Sequence, residues 1–137
     1  MATGPVEGSN PMDFTANWEN ASRGTKGAVC KMGASEFGAD LCTAATAFPI
    51  GILMNDPAQN EQAVIRPFGP AKAIAGATNL AVGAALVCTT SGQVIAYVKN
   101  ATQNATIDYK VGYARQASNA IGQKIAIWIN IHESGTI

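Results

Sequence analysis

The segment Lys124-Ile125-Ala126-Ile127-Trp128-Ile129-Asn130-Ile131 places an isoleucine at every second position. Successive side chains of a strand point to opposite faces, so the four Ile share one face and Lys124, Ala126, Trp128 and Asn130 share the other. A period of two commits this part of the chain to a sheet with one buried side. A second constraint lies upstream, where the thirty-two residues from Pro67 through Val98 carry one charged side chain, Lys72. A stretch so poor in charge has to lie in a core or against a partner along much of its length.

After Gly27 the chain is a series of short apolar runs separated by Gly, Pro, Asn and Asp, the pattern of alternating strands and turns. The predicted strands are Ala28–Met32, Ile50–Met54, Gln62–Phe68, Ala71–Ala75, Ala84–Thr89, Gln93–Val98, Lys110–Ala114 and Lys124–Ile131. Thr90-Ser91-Gly92 reads as the link of a hairpin. Pro67 and Pro70 mark a turn or a strand edge, because Pro cannot donate to a ladder. Helix is confined to single turns near Asn79–Val82 and within Tyr113–Ala120, since Gly76, Gly83 and Gly122 interrupt anything longer. The first 25 or so residues, with Pro5, Pro11 and several Gly, Asn and Ser, show neither period and read as an extended arm without regular structure. The expected architecture is all-β: a compact small β-barrel or sandwich of about eight short strands over residues 26–137, preceded by an N-terminal arm over residues 1–25.

A chain of 137 residues suits one domain. Charged residues make up 13%, about half the roughly 25% of an average soluble domain. Nine Lys and Arg offset nine Asp and Glu, so net charge draws the chain neither to nucleic acid nor to an anionic membrane. No apolar run reaches the roughly 18 residues of a membrane-spanning helix. Met1 to Asn20 holds Glu7, Asp13 and Glu19 with no Lys or Arg, unlike a secretory signal, and this makes the Asn-x-Ser/Thr sequences at Asn20, Asn100 and Asn104 inconsequential. Cys30, Cys42 and Cys88 have neither metal-ligand spacing nor a set of His partners, and read as small buried hydrophobes in a reducing compartment.

The search for chemistry finds no catalytic, cofactor-binding or metal-binding motif. His132 is the sole imidazole and follows the final strand, where an exposed end-of-strand role is expected rather than that of a base. The nine acids, Glu7, Asp13, Glu19, Glu36, Asp40, Asp56, Glu61, Asp108 and Glu133, are scattered singly. No phosphate-cradling Gly motif is present, and the local basic excess of Arg23, Lys26 and Lys31 is flanked by Glu19 and Glu36. The arm is more telling. Trp18 lies in a segment with no period, so it either folds back onto the domain or anchors to a neighbour. With Met12 and Phe14 it forms a candidate partner-binding set.

The order of these pieces resembles a known family. Gly27-Ala28-Val29-Cys30-Lys31-Met32 is followed by Pro49-Ile50-Gly51-Ile52-Leu53, the run from Gln62 to Ala77, and the turn Asn79-Leu80-Ala81-Val82-Gly83. The hairpin Leu86 to Val94, then Val111-Gly112-Tyr113-Ala114-Arg115-Gln116-Ala117, then Gly122-Gln123-Lys124-Ile125-Ala126-Ile127 complete it. This succession, over residues 26–131, is similar to the small capsid decoration, or cement, proteins of tailed bacteriophages. It departs from them in the longer polar segment Asn100–Asp108 and in the longer arm. The resemblance implies a compact β-barrel without cofactor, made in the host cytoplasm. It would bind the major capsid protein on the outer surface of the head shell and stabilise the lattice, as a homotrimer in preference to a dimer. Within that expectation the arm, through Phe14 and Trp18, lies on a neighbouring subunit. Two other readings remain at this point: a tail- or fibre-associated structural protein, and an enzyme or small-ligand-binding barrel whose pocket gathers some of Asp40, Asp56, Glu61, Asp108 and His132.

Overall fold

The computed structural model describes residues 12–98 and 108–133. Pro11 and the rest of residues 1–11, the sequons at Asn100 and Asn104, most of the polar segment Asn100–Asp108, and the tail from Ser134 lie outside the described residues. Ten strands follow in chain order: β1 (Phe14–Trp18), β2 (Val29–Met32), β3 (Gly38–Leu41), β4 (Pro49–Leu53), β5 (Gln62–Arg66), β6 (Gly69–Ile74), β7 (Ala85–Cys88), β8 (Val94–Ala96), β9 (Tyr109–Ala114) and β10 (Lys124–Glu133). The all-β expectation holds.

β1 to β5 close a barrel in the order β1-β3-β2-β4-β5. β1 completes the ring, antiparallel to β5 through Phe14 opposite Ile65 and Ala16 opposite Ala63, and parallel to β3 through Trp18 opposite Ala39. The remaining strands form a sheet in the order β6-β10-β9-β7-β8. Its two edge strands approach each other at a parallel bridge between Ala75, just past β6, and Val94 of β8, so this sheet curls towards closure as well. β10 is its spine. Ile125, Ile127 and Ile129 are fully buried and Ile131 packs against the same core, while Trp128 stands on the opposite, outer face. Each fully buried Ile contributes about 1.5–3 kcal/mol.

Two cores result. The barrel encloses Ala16, Trp18, Cys30, Ala39, Leu53, Ala63 and Ile65. The second core gathers the inner face of the sheet with Val29, Cys42 and Ile52 from the barrel side. In β2, Val29 faces the second core and its neighbour Cys30 the first; in β4, Ile52 and Leu53 divide the same way. β2 and β4 are therefore one wall shared by both cores, which is why apolar residues stand side by side in Val29-Cys30 and Ile52-Leu53 instead of alternating with polar ones.

The eight predicted strands are all present with ends shifted by one or two residues, and β1 and β3 are additional. β1 corrects the reading of the arm as free of regular structure: Phe14–Trp18 is a paired strand of the barrel. Neither helical turn forms. Around Leu80 a side chain satisfies the backbone instead, with Ser118 Oγ accepting from the Leu80 amide at 3.0 Å and donating to the Ala77 carbonyl at 2.7 Å. The Ser118 amide returns a bond to the Leu80 carbonyl at 3.1 Å. The two loops thus hold each other without i-to-i−4 bonding. Of the low-charge stretch Pro67–Val98, the exposed residues fall mainly at turns and on the outer face of β6, and the remainder is buried or half-buried.

Candidate functional site

The carboxylates do not converge. Asp40 accepts from Asn20 Nδ2 at 2.9 Å and from the Leu41 amide at 2.7 Å. Asp56 accepts from the Lys26 amide at 2.7 Å, and Glu61 from the Ala58 amide at 2.7 Å with Arg23 at 3.9 Å. Each holds a turn in place. His132 stacks on Tyr113, with Nδ1 2.8 Å from the Asn130 carbonyl and Nε2 3.3 Å from the Tyr113 hydroxyl. Among the described residues no three His, Cys, Asp or Glu form a group able to hold a metal ion. Asp40, Asp56, Glu61 and His132 are thus each engaged with different partners.

The three thiols are buried and unpaired by disulfide. Burial pushes Cys30 well above the ordinary thiol range. Cys88 donates to the Cys42 carbonyl at 3.0 Å. The neighbouring Cys88 side chain favours ionisation of Cys42, which is drawn down to about 7, and Cys88 is driven up. Cys42 is fully enclosed, so this thiolate character is not presented to solvent as a reactive cysteine requires.

The arm residues part company. Trp18 is 1% exposed inside its own barrel, with Nε1 donating to the Ser22 carbonyl at 2.9 Å, so of the two alternatives for this side chain the structure realises folding back. Met12 and Phe14 remain at the surface. Phe14 continues the inward row of β1 beyond Trp18 and Ala16 to the open end of the barrel. There it meets Met32, which continues the inward row of β2 beyond Cys30, and Ile50, which a bulge in the β2–β4 pairing turns against the barrel core. The barrel's apolar interior thus opens at one end into a groove of about 420 Å³, rimmed by Phe14, Met32, Phe37 and Ile50. Met32 is 70% and Phe37 87% exposed, so two large apolar side chains stand in water at this rim.

Phe37 is held there by a clamp. Glu19, just after β1, accepts from the Ala34 amide with Oε1 at 2.8 Å and from the Ser35 amide with Oε2 at 3.0 Å, gripping the loop between β2 and β3. The Phe37 carbonyl accepts from the Asn17 amide at 2.8 Å. A Cβ at Gly33 or Gly38 would collide with the Glu19 carboxylate, so both positions require glycine for the clamp to close. Held this way, Phe37 adopts a left-handed backbone with φ of 56°. That conformation costs a non-glycine residue about 1–2 kcal/mol. A bulky apolar side chain, a strained conformation and display to solvent together make Phe37 a candidate contact residue. The sequence reading missed Phe37 and Met32; the signal it carried was the Gly-x-x-x-x-Gly frame from Gly33 to Gly38 around a lone Phe.

No protein-family model matches the chain, and no curated protein sequence does. Among solved structures the chain is similar to the head fiber gp8.5 N base of bacteriophage phi29, with a TM-score of 0.62 and 19% identity over 86% of this chain and 92% of that one. At this identity the likeness is one of fold, and it extends across nearly the whole of both molecules.

Proposed function

We propose that this protein is a non-enzymatic structural component of a phage virion, a base or decoration module seated on the outer surface of the head. The observation that carries this reading is the open apolar end of the barrel. Phe14, Met32 and the clamped Phe37, beside Ile50, form an anchor rich in aromatic and thioether side chains, the types enriched where protein docks on protein. The fold shared with a head fiber base supports a head-surface location. The proposed occupant of the groove is an apolar side chain of the major capsid protein, and self-association as a trimer would multiply the anchors presented to the shell. Met12 and Phe14 retain the partner-binding role first assigned to them; Trp18 acts by holding β1 in the barrel.

Co-sedimentation of the protein with empty heads tests the reading. Wild type should saturate the heads, and a Met32→Ser/Phe37→Ser double variant that folds normally should lose most of its occupancy. Unchanged occupancy would exclude the groove as the anchor. Light scattering of the free protein reads the trimer. The fold likeness also favours a second reading, in which the module is the base of a fibre instead of a free-standing cement subunit. Electron microscopy of decorated heads separates the two, since only a fibre base carries a projecting shaft.

A further inference from the structure

The zero net charge of the chain conceals a division. Residues 1–66, which build the barrel, hold seven acids and four cations, whereas residues 67–137 hold two acids and five cations. The cations meet at one place. A cleft of about 570 Å³ lies against the outer face of β6 and β10, beside the end of β5, lined by Lys26, Arg66, Lys72, Arg115 and Lys124 over a floor that includes Met54 and Ala126. Five of the nine cationic side chains of the protein line it, and no carboxylate does.

Backbone register explains the convergence. Lys72 of β6 lies opposite Ala126 of β10, and the Arg115 amide donates to the Ala126 carbonyl at 2.8 Å from the other side. With strands about 4.8 Å apart, Lys72 and Arg115 flank Ala126 at roughly 10 Å from each other. Lys124, two residues earlier on β10, shares the Ala126 face. The small Ala126 side chain leaves the space between them open. Arg66, by contrast, is committed to Asp13 and to the Pro70 carbonyl and forms part of the wall. Lys26, Lys72, Arg115 and Lys124 are exposed, and among the described residues none of the four lies within ion-pair distance of a carboxylate.

We propose that this cleft binds an acidic peptide segment of a partner protein, its carboxylates paired with Lys26, Lys72, Arg115 and Lys124 and its aliphatic carbons on Met54 and Ala126. Charge complementarity argues for an anion, and the cleft falls within the roughly 300–1,000 Å³ of ligand sites. The surroundings argue for a short segment and against a long polyanion. Asp56 accepts from the Lys26 amide and Asp13 grips Arg66, so carboxylates of the acidic barrel border the cleft on that side. A nucleic-acid backbone running past the cleft would be repelled where a few carboxylates placed within it are not. The inference does not depend on a position on a phage head.

Fluorescence anisotropy with the full-length protein and a short labelled Glu/Asp peptide tests it, with a labelled single-stranded oligonucleotide and inorganic phosphate as competitors. The peptide should bind at low salt, weaken steeply above the roughly 0.1 M ionic strength at which screening reaches about 10 Å, and resist displacement by phosphate at equal concentration. A Lys72→Glu/Lys124→Glu variant with an unchanged melting curve should bind about tenfold or more weakly. Arg23→Gln, which touches a cation paired with Glu61 outside the cleft, should bind as wild type. Absence of peptide binding at low salt, equal binding by the double variant, displacement by phosphate, or tighter binding of the oligonucleotide would each overturn the proposal.

Discussion

Asp13 and Arg66 are joined by two parallel hydrogen bonds, Nε to Oδ1 at 2.9 Å and Nη2 to Oδ2 at 3.1 Å, with both side chains largely shielded from water. The pair ties the approach to β1 onto the end of β5, and Arg66 Nη1 extends it to the Pro70 carbonyl at the start of β6 at 3.0 Å. Removing the carboxylate leaves a nearly buried guanidinium without its counter-charge, a change that costs about 3–5 kcal/mol at buried pairs. Asp13→Ala should therefore lower the unfolding free energy in urea by about 3 kcal/mol. A loss below about 1 kcal/mol, the range of exposed pairs, would show the bridge to be ornamental.

Phe37 should prove costly to the free protein. Replacing it by Gly removes a left-handed penalty of about 1–2 kcal/mol and adds about 0.5–1 kcal/mol of unfolded-chain entropy. Phe37→Gly is thus expected to raise stability by up to about 1.5 kcal/mol while lowering head occupancy. Opposite signs in thermal melting and co-sedimentation identify a residue kept for binding; a loss in both would make Phe37 a packing residue.

The two faces of β10 should respond differently. Ile127 is fully buried, and truncation to Ala costs about 2–5 kcal/mol through lost transfer and the cavity left behind. Trp128 is 40% exposed and meets Phe68 edge-on with ring centroids 5.5 Å apart, an aromatic contact worth about 0.5–1.5 kcal/mol. Trp128→Ala is expected to cost less than Ile127→Ala in denaturant titration, and the reverse order would contradict the assignment of faces.

Alkaline pH should destabilise the fold. Burial raises Cys30, and hydrogen bonding to Cys42 together with burial raises Cys88, so both stay protonated in the folded state where an unfolded thiol ionises. A group raised on folding contributes its stability below its unfolded value, about 8.5 for a thiol, and loses it as pH climbs beyond. Cys42, drawn down to about 7, acts in the opposite sense until it is ionised in both states, so the melting temperature should fall from about pH 9 upward, and Cys30→Ala, though less stable at neutral pH, should fall less steeply. Parallel curves for the two proteins would place the alkaline loss elsewhere.

Where one side of a strand is wet and the other dry, the sequence announces it, and β10 is legible for that reason. β7 and β8 are legible through the Thr90-Ser91-Gly92 link. β1 alternates Phe14, Ala16 and Trp18 with Thr15 and Asn17, but over five residues set among Pro, Gly and Asn, and its partners β3 and β5 are distant in sequence. β3, Gly38-Ala39-Asp40-Leu41, buries fully only Ala39 and is ordered through pairing with β2 and β1. The groove escaped for a related reason. Phe14, Met32, Phe37 and Ile50 come from four separate segments, and only barrel closure makes them neighbours. The cationic cleft likewise draws on five loops and strands, so the even scatter of Lys and Arg along the chain hid it.

The wall that β2 and β4 share between the two cores has a mechanical consequence. Pulling either strand out of register would drag Val29 and Ile52 from one core and Cys30 and Leu53 from the other in the same movement. Neither half is bounded by a strand of its own on that side, so barrel and sheet are expected to melt in a single transition.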